Sequence, residues 1–353
     1  MKDSSNRFPV IDAFKAIASQ LIVLHHLAAY GPISDAVQKI APTLISWLYD
    51  YARMAVQVFL VIGGYLAARS ISTSKRNLSS LTITLFNRYL RLAIPFFAAL
   101  ILAIFCAIYA RQWLTDDFVP DKPTIQQLLA HVFMLQSMLD FDALLAGAWF
   151  IAIDFQLFLL MLSITWLSSN AKNSRNIKLS IITLMVTISL FWFNRSAGFD
   201  DWAVYFFGAY GLGSVAFLAG NRRQFNNLWF WLNVTLATVA IFVDFRARIL
   251  IAVLVTLILF FSREAQLKEA LIGKKIIHYL GKISYSIFLV HFSILMLANS
   301  IFVGFNLSSP YVGLISMFVA WVVSILAADL FYNRVEKYFS MILKRHIKSL
   351  SQS

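Results

Sequence analysis

Ten apolar runs of membrane-crossing length follow one another along this chain. They lie at approximately residues 11–30, 45–67, 91–110, 145–167, 178–194, 203–220, 228–244, 248–262, 283–302 and 312–333. A helix needs roughly 17 to 25 such residues to cross about 30 Å of hydrocarbon. The expected fold is therefore an all-α polytopic membrane protein of about ten transmembrane helices, with no appended soluble domain. The runs 228–244 and 248–262 are separated only by residues around Arg246 and Arg248, so they must form a tight helical hairpin. Composition agrees: the chain is 60% hydrophobic and 13% charged, whereas soluble domains are about half apolar and about a quarter charged. Its 32 Phe and 9 Trp suit lipid-facing and interfacial positions.

The loops carry the orientation. Arg69, Lys75, Arg76, Arg88 and Arg91 follow the second run, and Lys172, Arg175 and Lys178 the fourth. Arg222 and Arg223 follow the sixth run, and Arg263, Lys268, Lys274, Lys275 and Lys282 the eighth; Arg334, Lys337, Lys344, Arg345 and Lys348 lie in the tail. The alternate loops gather acids: Asp116, Asp117, Asp121, Asp140 and Asp142 after the third run, Asp200 and Asp201 after the fifth. Because basic loops stay inside, both termini are expected in the cytoplasm. The net charge of +13 is thus spread over short loops, which is a membrane pattern and excludes a nucleic-acid partner. The single cysteine, Cys106, lies in an apolar run and rules out a disulfide framework or a cysteine metal site. No other ligand cluster suggests a metal. The first run lacks a small-residue cleavage site before the next polar loop, so it is expected to stay as a span. Between runs three and four, TIQQLLAHVFMLQSML (124–139) has helical periodicity. It reads either as an amphipathic helix on the membrane surface or as a packed re-entrant connector.

Ionisable groups inside a bilayer are costly and usually face a cavity or a partner, so those that occur are informative. In the first run Lys15 and His26 are eleven positions apart, which leaves them about 20° apart around a helix and about 16 Å apart along it. Asp12 shares that stripe, and His25 points about 100° away from His26. His26 suits a general base, because imidazole titrates near neutrality; the plainer reading is a helix-to-helix hydrogen bond, with Lys15 snorkelling to the interface. Asp154, near the middle of the fourth run, must be protonated or paired. Ser284 and His291 share a face of the ninth run, His291 being either functional or a buried structural histidine. Arg88 and Arg91, one turn apart, make a guanidinium pair suited to phosphate, or else anchor the span inside. Pro95 should kink their helix. Asp50 and Arg53 have the spacing of a helical ion pair. Gly63-Gly64 permits close approach of a helix or a substrate. Asp329 and Glu336 read as partners for nearby cations.

Taken in order, these segments resemble acyltransferase family 3, the bacterial multi-span O-acyltransferases of cell-surface glycans. IDAFKAIASQLIVLHH is similar to the family's opening: an Asp, a basic residue three later, then a His eleven further on. VQVFLVIGGYLA resembles its second-span signature, RYLRLAIP its Arg-x-x-Arg motif ending in Pro, and WFIAIDFQLFLL its Trp…Glu-x-Gln-x-Tyr segment. LGKISYSIFLVH is similar to its Gly-x-x-Ser-Tyr-x-x-Tyr-Leu-x-His signature, and NRVEKYF to its closing Glu motif. The sequence departs from the family where Arg becomes Lys15, Glu becomes Asp154, Ser becomes Gly63, and an acid becomes Gln57. The first change keeps the charge but removes bidentate recognition.

The resemblance implies a membrane acyltransferase domain over 1–340, a basic cytoplasmic tail over 341–353, and a place in the bacterial cytoplasmic (inner) membrane. It implies acyl-CoA, acetyl-CoA foremost, as donor substrate, with no permanently bound cofactor. The acceptor would be a glycan or lipid-linked sugar outside, and membrane lipids the surroundings. Lys15, Arg88 and Arg91 would hold the donor's phosphates. His26 would deprotonate the acceptor, Asp154 would orient or balance it, and His25, Ser284 and His291 would line the tunnel. A covalent acyl-histidine variant stays open. The rivals are a proton-coupled transporter using intramembrane Asp and His, and a non-catalytic scaffold. Against the transporter, no matching halves with broken helices are visible.

Overall fold

The structure is a computed structural model that describes residues 8–73, 78–219, 227–262 and 274–350. The helices are α1 Pro9–Ala29, α2 Pro32–Gln38, α3 Pro42–Tyr51, α4 Ala55–Ser72, α5 Leu78–Ala110, α6 Ile125–Val132 and α7 Ala148–Ser168. They continue with α8 Ser174–Phe191, α9 Ala203–Leu218, α10 Leu228–Val243, α11 Ala247–Ser262, α12 Lys274–Gly304, α13 Pro310–Phe331 and α14 Lys337–Leu350. No strand occurs among the described residues. Lys75, Arg76, Arg222, Arg223, Arg263 and Lys268, which carry part of the charge argument, lie outside them.

Helix covers each of the ten apolar runs, the second being divided between α3 and α4. Among the described residues, seven helical stretches are long and apolar enough to cross a membrane: Pro9–Ala29, Pro42–Ser72, Leu78–Ala110, Ala148–Ser168, Ser174–Arg195, Lys275–Gly304 and Pro310–Leu343. The other three, α9, α10 and α11, have 16 residues each, or about 24 Å of rise. The expected hairpin is present, with α10 and α11 packed together across a three-residue link.

Four local expectations are corrected. The second run is not one helix, because a 3₁₀ turn at Ala52–Met54 separates α3 from α4. Arg53 lies within that turn and Asp50 two residues before it; both are exposed and form no ion pair with each other, and exposed pairs gain little. The periodicity of 124–139 yields only the eight residues of α6, opened by a Thr124–Gln127 capping box. Met134 then turns left-handed at φ 56° and ends the helical path. The connector is packed through His131 and Ala130, whereas Ile125, Leu129 and Phe133 form an exposed apolar stripe. Finally, Asp329 accepts from the Asn333 amide at 2.8 Å rather than from a cation.

The chain forms two compact units, whose boundaries fall within or beside long helices. The first comprises the chain up to Lys15, Val56–Arg88 and Ala152–His278. Its centre is α9, buried on every side from Tyr205 to Ala216. A helix surrounded by protein need not match the thickness of lipid, which fits its short length. α4 and α9 touch backbone to backbone: a Cβ on Gly64 would overlap the Tyr210 carbonyl, and one on Gly213 the Val61 carbonyl. The Ser214 hydroxyl donates across the same contact to Gly64 O at 3.1 Å. Small residues permit such approach between membrane helices. Polar ties add to it: Asn233 donates to Thr183 Oγ1 at 2.7 Å, and Ser189 Oγ accepts Gly208 N–H at 2.8 Å.

The second unit comprises Ala16–Ala55, Tyr89–Ile151 and the chain from Tyr279 on. Its hub is α12. Tyr285 donates to Leu92 O of α5 at 2.9 Å. Asn299 Oδ1 accepts Ile33 N–H at 3.0 Å and caps the start of α2. Gly31, at φ 86°, makes the turn into that helix. Ser286 donates to Glu336 Oε2 at 2.6 Å, so Glu336 meets a hydroxyl. Trp321 on α13 donates to Gln20 on α1 at 2.8 Å.

Candidate active site

Two polar clusters sit in surroundings that are otherwise apolar. The first, in the second unit, is a pair of imidazoles. His26, near the end of α1, and His291, in the middle of α12, are both buried. His26 Nδ1 lies 2.8 Å from His291 Nε2, with ring planes 16° apart. His291 Nδ1 lies 2.9 Å from the Ile287 carbonyl one turn earlier. A carbonyl only accepts, so His291 Nδ1 carries the proton and donates. Neutral His291 then has a lone pair at Nε2, and His26 must donate to it from Nδ1. The order is therefore His26 Nδ1–H to His291 Nε2, and His291 Nδ1–H to Ile287 O. This assignment leaves the lone pair of neutral His26 on Nε2, an atom with no hydrogen-bond partner among the described residues. Helical i→i−4 spacing thus sets one tautomer, and through it the other.

Aromatic rings shield this pair. Tyr30 stacks on His26 at 5.6 Å between centroids, and Phe288 lies 6.2 Å from His291. His25 points away from the pair: its Nδ1 lies 3.3 Å from Leu48 O, and its ring 5.9 Å from Tyr49. It ties α1 to α3. Ser284, one face-repeat before His291, is buried, but its hydroxyl donates to Gly281 O at 3.0 Å within its own helix.

The second cluster, in the first unit, centres on Asp154 of α7. Its carboxylate Oδ2 accepts from Arg88 Nη2 of α5. The guanidinium carbon also lies 5.4 Å from the centre of the Phe158 ring. Of the two options open to a buried carboxylate, protonation or pairing, pairing with an arginine is the arrangement found. Gly63 makes room for it, since a Cβ there would lie 3.1 Å from Asp154 Oδ1 and 3.2 Å from the Tyr210 ring. Tyr210 itself is fully buried, and its hydroxyl has no hydrogen-bond partner among the described residues. Burying a phenol without a partner is costly. Nothing in the apolar run 203–220 marked Tyr210 beforehand; the signal exists only after packing.

The other expected residues are placed as follows. Asp12 meets His278 Nδ1 at 2.8 Å in the first unit. Lys15 is half-buried on α1, and Arg91 is exposed on α5. Expected site residues therefore meet in two pairs, Arg88 with Asp154 and His26 with His291. Asp154, expected beside His26, has Arg88 on its carboxylate, and the ring bonded to His26 Nδ1 is His291. No cluster of three or more potential metal ligands occurs among the described residues.

Comparison with protein families matches residues 8–329 to the acyltransferase family 3 model, described as an acyltransferase domain. No curated protein and no solved structure matches the chain. The match spans nearly all the helices described above, and both polar clusters lie within it. The chain therefore belongs to acyltransferase family 3 and is a multi-pass membrane O-acyltransferase.

Proposed function

We propose that this enzyme moves an acyl group, acetyl in the simplest case, from cytoplasmic acyl-CoA to a hydroxyl of a surface or lipid-linked glycan. Acceptance takes place on the outer side of the bacterial cytoplasmic membrane. Ten spans with both termini inside complete the reading, α9, α10 and α11 crossing as short helices.

The observation that carries it is the hydrogen-bonded order from His26 through His291 to Ile287 O. That order presents His26 Nε2 as a base. The acceptor hydroxyl gives its proton to Nε2 as its oxygen attacks the thioester carbonyl. His291 Nε2 keeps the Nδ1–H of the resulting imidazolium bonded, which holds the ring in place. The C–S bond then breaks, and the proton passes from His26 to the leaving thiolate. Acyl-CoA and alcohol become ester and free thiol, with no proton left over. His25 holds the helix that carries the base.

Asp154 serves as a positioning residue for Arg88. With its Nη2 held on the carboxylate, Arg88 is positioned to meet the acyl donor's phosphates. Tyr210 supplies a further donor for a carbonyl or phosphate oxygen. Lys15 and Arg91 contribute positive charge for the donor's phosphates, and Ser284 and His291 line the path. The transporter reading gives way to the family membership.

The test is sided. Enzyme of known orientation in proteoliposomes receives labelled acyl-CoA on the face bearing the C-terminus, with glycan acceptor on the other. Label on the opposite-side acceptor supports the reading. Label confined to same-side acceptors, or a C-terminal reporter found on the outer face of cells, contradicts it.

A further inference from the structure

At one end of the first unit, the start of α4, the turn after α8 and the starts of α9 and α11 enclose a cavity of about 10 Å³. That volume admits about one water-sized group. Gln57, Asn194 and Arg248 make its polar wall, and Tyr205, Leu190 and Ile249 close it. In the orientation proposed above, the end where α8 gives way to α9 faces outward.

Three side chains are set there with hydrogen-bonding capacity to spare. Asn194 is buried, at 7% exposure. Its Nδ2 donates to Tyr205 O at 3.1 Å. Its own carbonyl accepts from Arg246 Nη1 and, at 3.3 Å, from Arg248 Nη2. Those bonds hold the residue in place, yet its Oδ1 is buried with no hydrogen-bond partner among the described residues. Arg248 is half-buried, its guanidinium carbon 5.0 Å from the centre of the Tyr205 ring. That contact orients the guanidinium, and its Nε and Nη1 make no hydrogen bond among the described residues. The neighbouring Asp244 carboxylate does not line the cavity; it pairs with Arg195 and, at 2.8 Å, with Arg246. Half-buried Gln57 likewise makes no side-chain hydrogen bond among the described residues.

The donors and acceptors select a ligand class. An anion would meet Arg248 but bring no proton to Asn194 Oδ1. An ammonium would meet Oδ1 but face the charge of the guanidinium. A hydroxyl does both, donating to Oδ1 and accepting from Arg248, while the Gln57 amide can take either role. Gln57 and Arg248 are partly exposed, so the remainder of a hydroxylated ligand would lie toward the surface within their reach. We propose that this cavity takes one hydroxyl of a neutral sugar and forms part of the acceptor-binding site. The choice of a sugar rests on the acyl-transfer reading; water alone is the competing occupant.

The experiment reads binding without acyl-CoA, so its failure leaves acyl transfer to its own sided assay. Full-length protein in nanodiscs is titrated with methyl glucoside, methyl galactoside and methyl mannoside, and with the singly deoxygenated analogues of each, by saturation-transfer NMR. Wild type should bind at least one parent sugar. It should bind one analogue of that sugar at least about tenfold more weakly, as expected when buried polar groups lose their partner. Gln57→Leu and Arg248→Met should each bind the parent at least about tenfold more weakly and discriminate less against the same analogue. Absence of binding to wild type, or binding that no deoxygenation weakens, overturns the proposal. So does discrimination equal to wild type in variants whose ligand-free melting is normal, the result expected of a cavity that holds water only. Should Arg248→Met fail to fold, Gln57→Leu, which breaks no side-chain hydrogen bond among the described residues, decides alone.

Discussion

His26 and His291, 265 positions apart in sequence, face each other at 2.8 Å between ring nitrogens. The contact is directional because His291 is already committed to the Ile287 carbonyl at 2.9 Å. His291 therefore acts as acceptor toward His26, and the free lone pair is delivered to His26 Nε2. A neutral His291 imidazole thus sets the tautomer of His26.

That order separates two replacements of His291. Glutamine retains a carbonyl oxygen able to accept from His26 Nδ1–H, whereas phenylalanine fills the space and accepts nothing. Acyl-transfer kinetics should show kcat falling by roughly 10- to 100-fold more in His291→Phe than in His291→Gln, within the range assigned to general-base alignment. KM for the acyl donor should stay nearly constant. Equal losses in the two variants would mean that His291 merely fills volume.

Tyr210 carries a buried hydroxyl with no hydrogen-bond partner among the described residues. Deleting an unsatisfied donor removes a desolvation penalty of about 1–3 kcal/mol, so Tyr210→Phe should melt at the same temperature as wild type or higher. Its KM for the acyl donor should rise. A destabilised variant with normal kinetics would show that the hydroxyl serves the fold.

Gly63 and Asp154 are sized for each other: a Cβ at position 63 would come 3.1 Å from Asp154 Oδ1. Gly63→Ala and Asp154→Glu should each destabilise by about 1–3 kcal/mol through overpacking. Combining them should give a loss that differs from the sum by about 0.5–3 kcal/mol, as neighbours sharing one space do. Thermal unfolding of the four proteins in one detergent measures this. Strict additivity would separate the two sites.

His131, in the connector between α5 and α7, bonds Gln127 O through Nδ1 at 2.8 Å and accepts Leu144 N–H at 3.2 Å. Burial lowers its pKa from the ordinary 6.5, outweighing the opposing hydrogen bond to Gln127. The folded state thus prefers the neutral ring. Its contribution to stability is intact above the unfolded value of 6.5 and is lost as pH falls below that value toward the depressed folded one. Thermal midpoints recorded from pH 7.5 downward should decline in wild type more steeply than in His131→Phe. Parallel pH profiles would contradict this.

The helices were legible because hydropathy is a local property: each run had only to be long and apolar, and helix covers each of them, the second split between α3 and α4. What spacing could not supply was lateral. It put Ser284 on the face of His291, but the Ser284 hydroxyl closes on Gly281 of its own helix. It left Asp154 open between protonation and pairing, and the partner, Arg88, lies 66 positions away. The periodicity of 124–139 ran past Val132, but left-handed Met134 and the clamp of His131 on Leu144 stop the helix there. Tyr210 had no local signature, since a phenol in an apolar run becomes informative only once its surroundings leave the hydroxyl alone.

The most direct measurement is single-turnover transfer from labelled acyl-CoA to a glycan hydroxyl, comparing reconstituted wild type with His26→Ala of equal melting temperature. Transfer by wild type, with a rate lowered roughly 10²- to 10⁴-fold in His26→Ala, is the predicted result. Transfer at the wild-type rate in His26→Ala would remove His26 from the chemistry and contradict the mechanism.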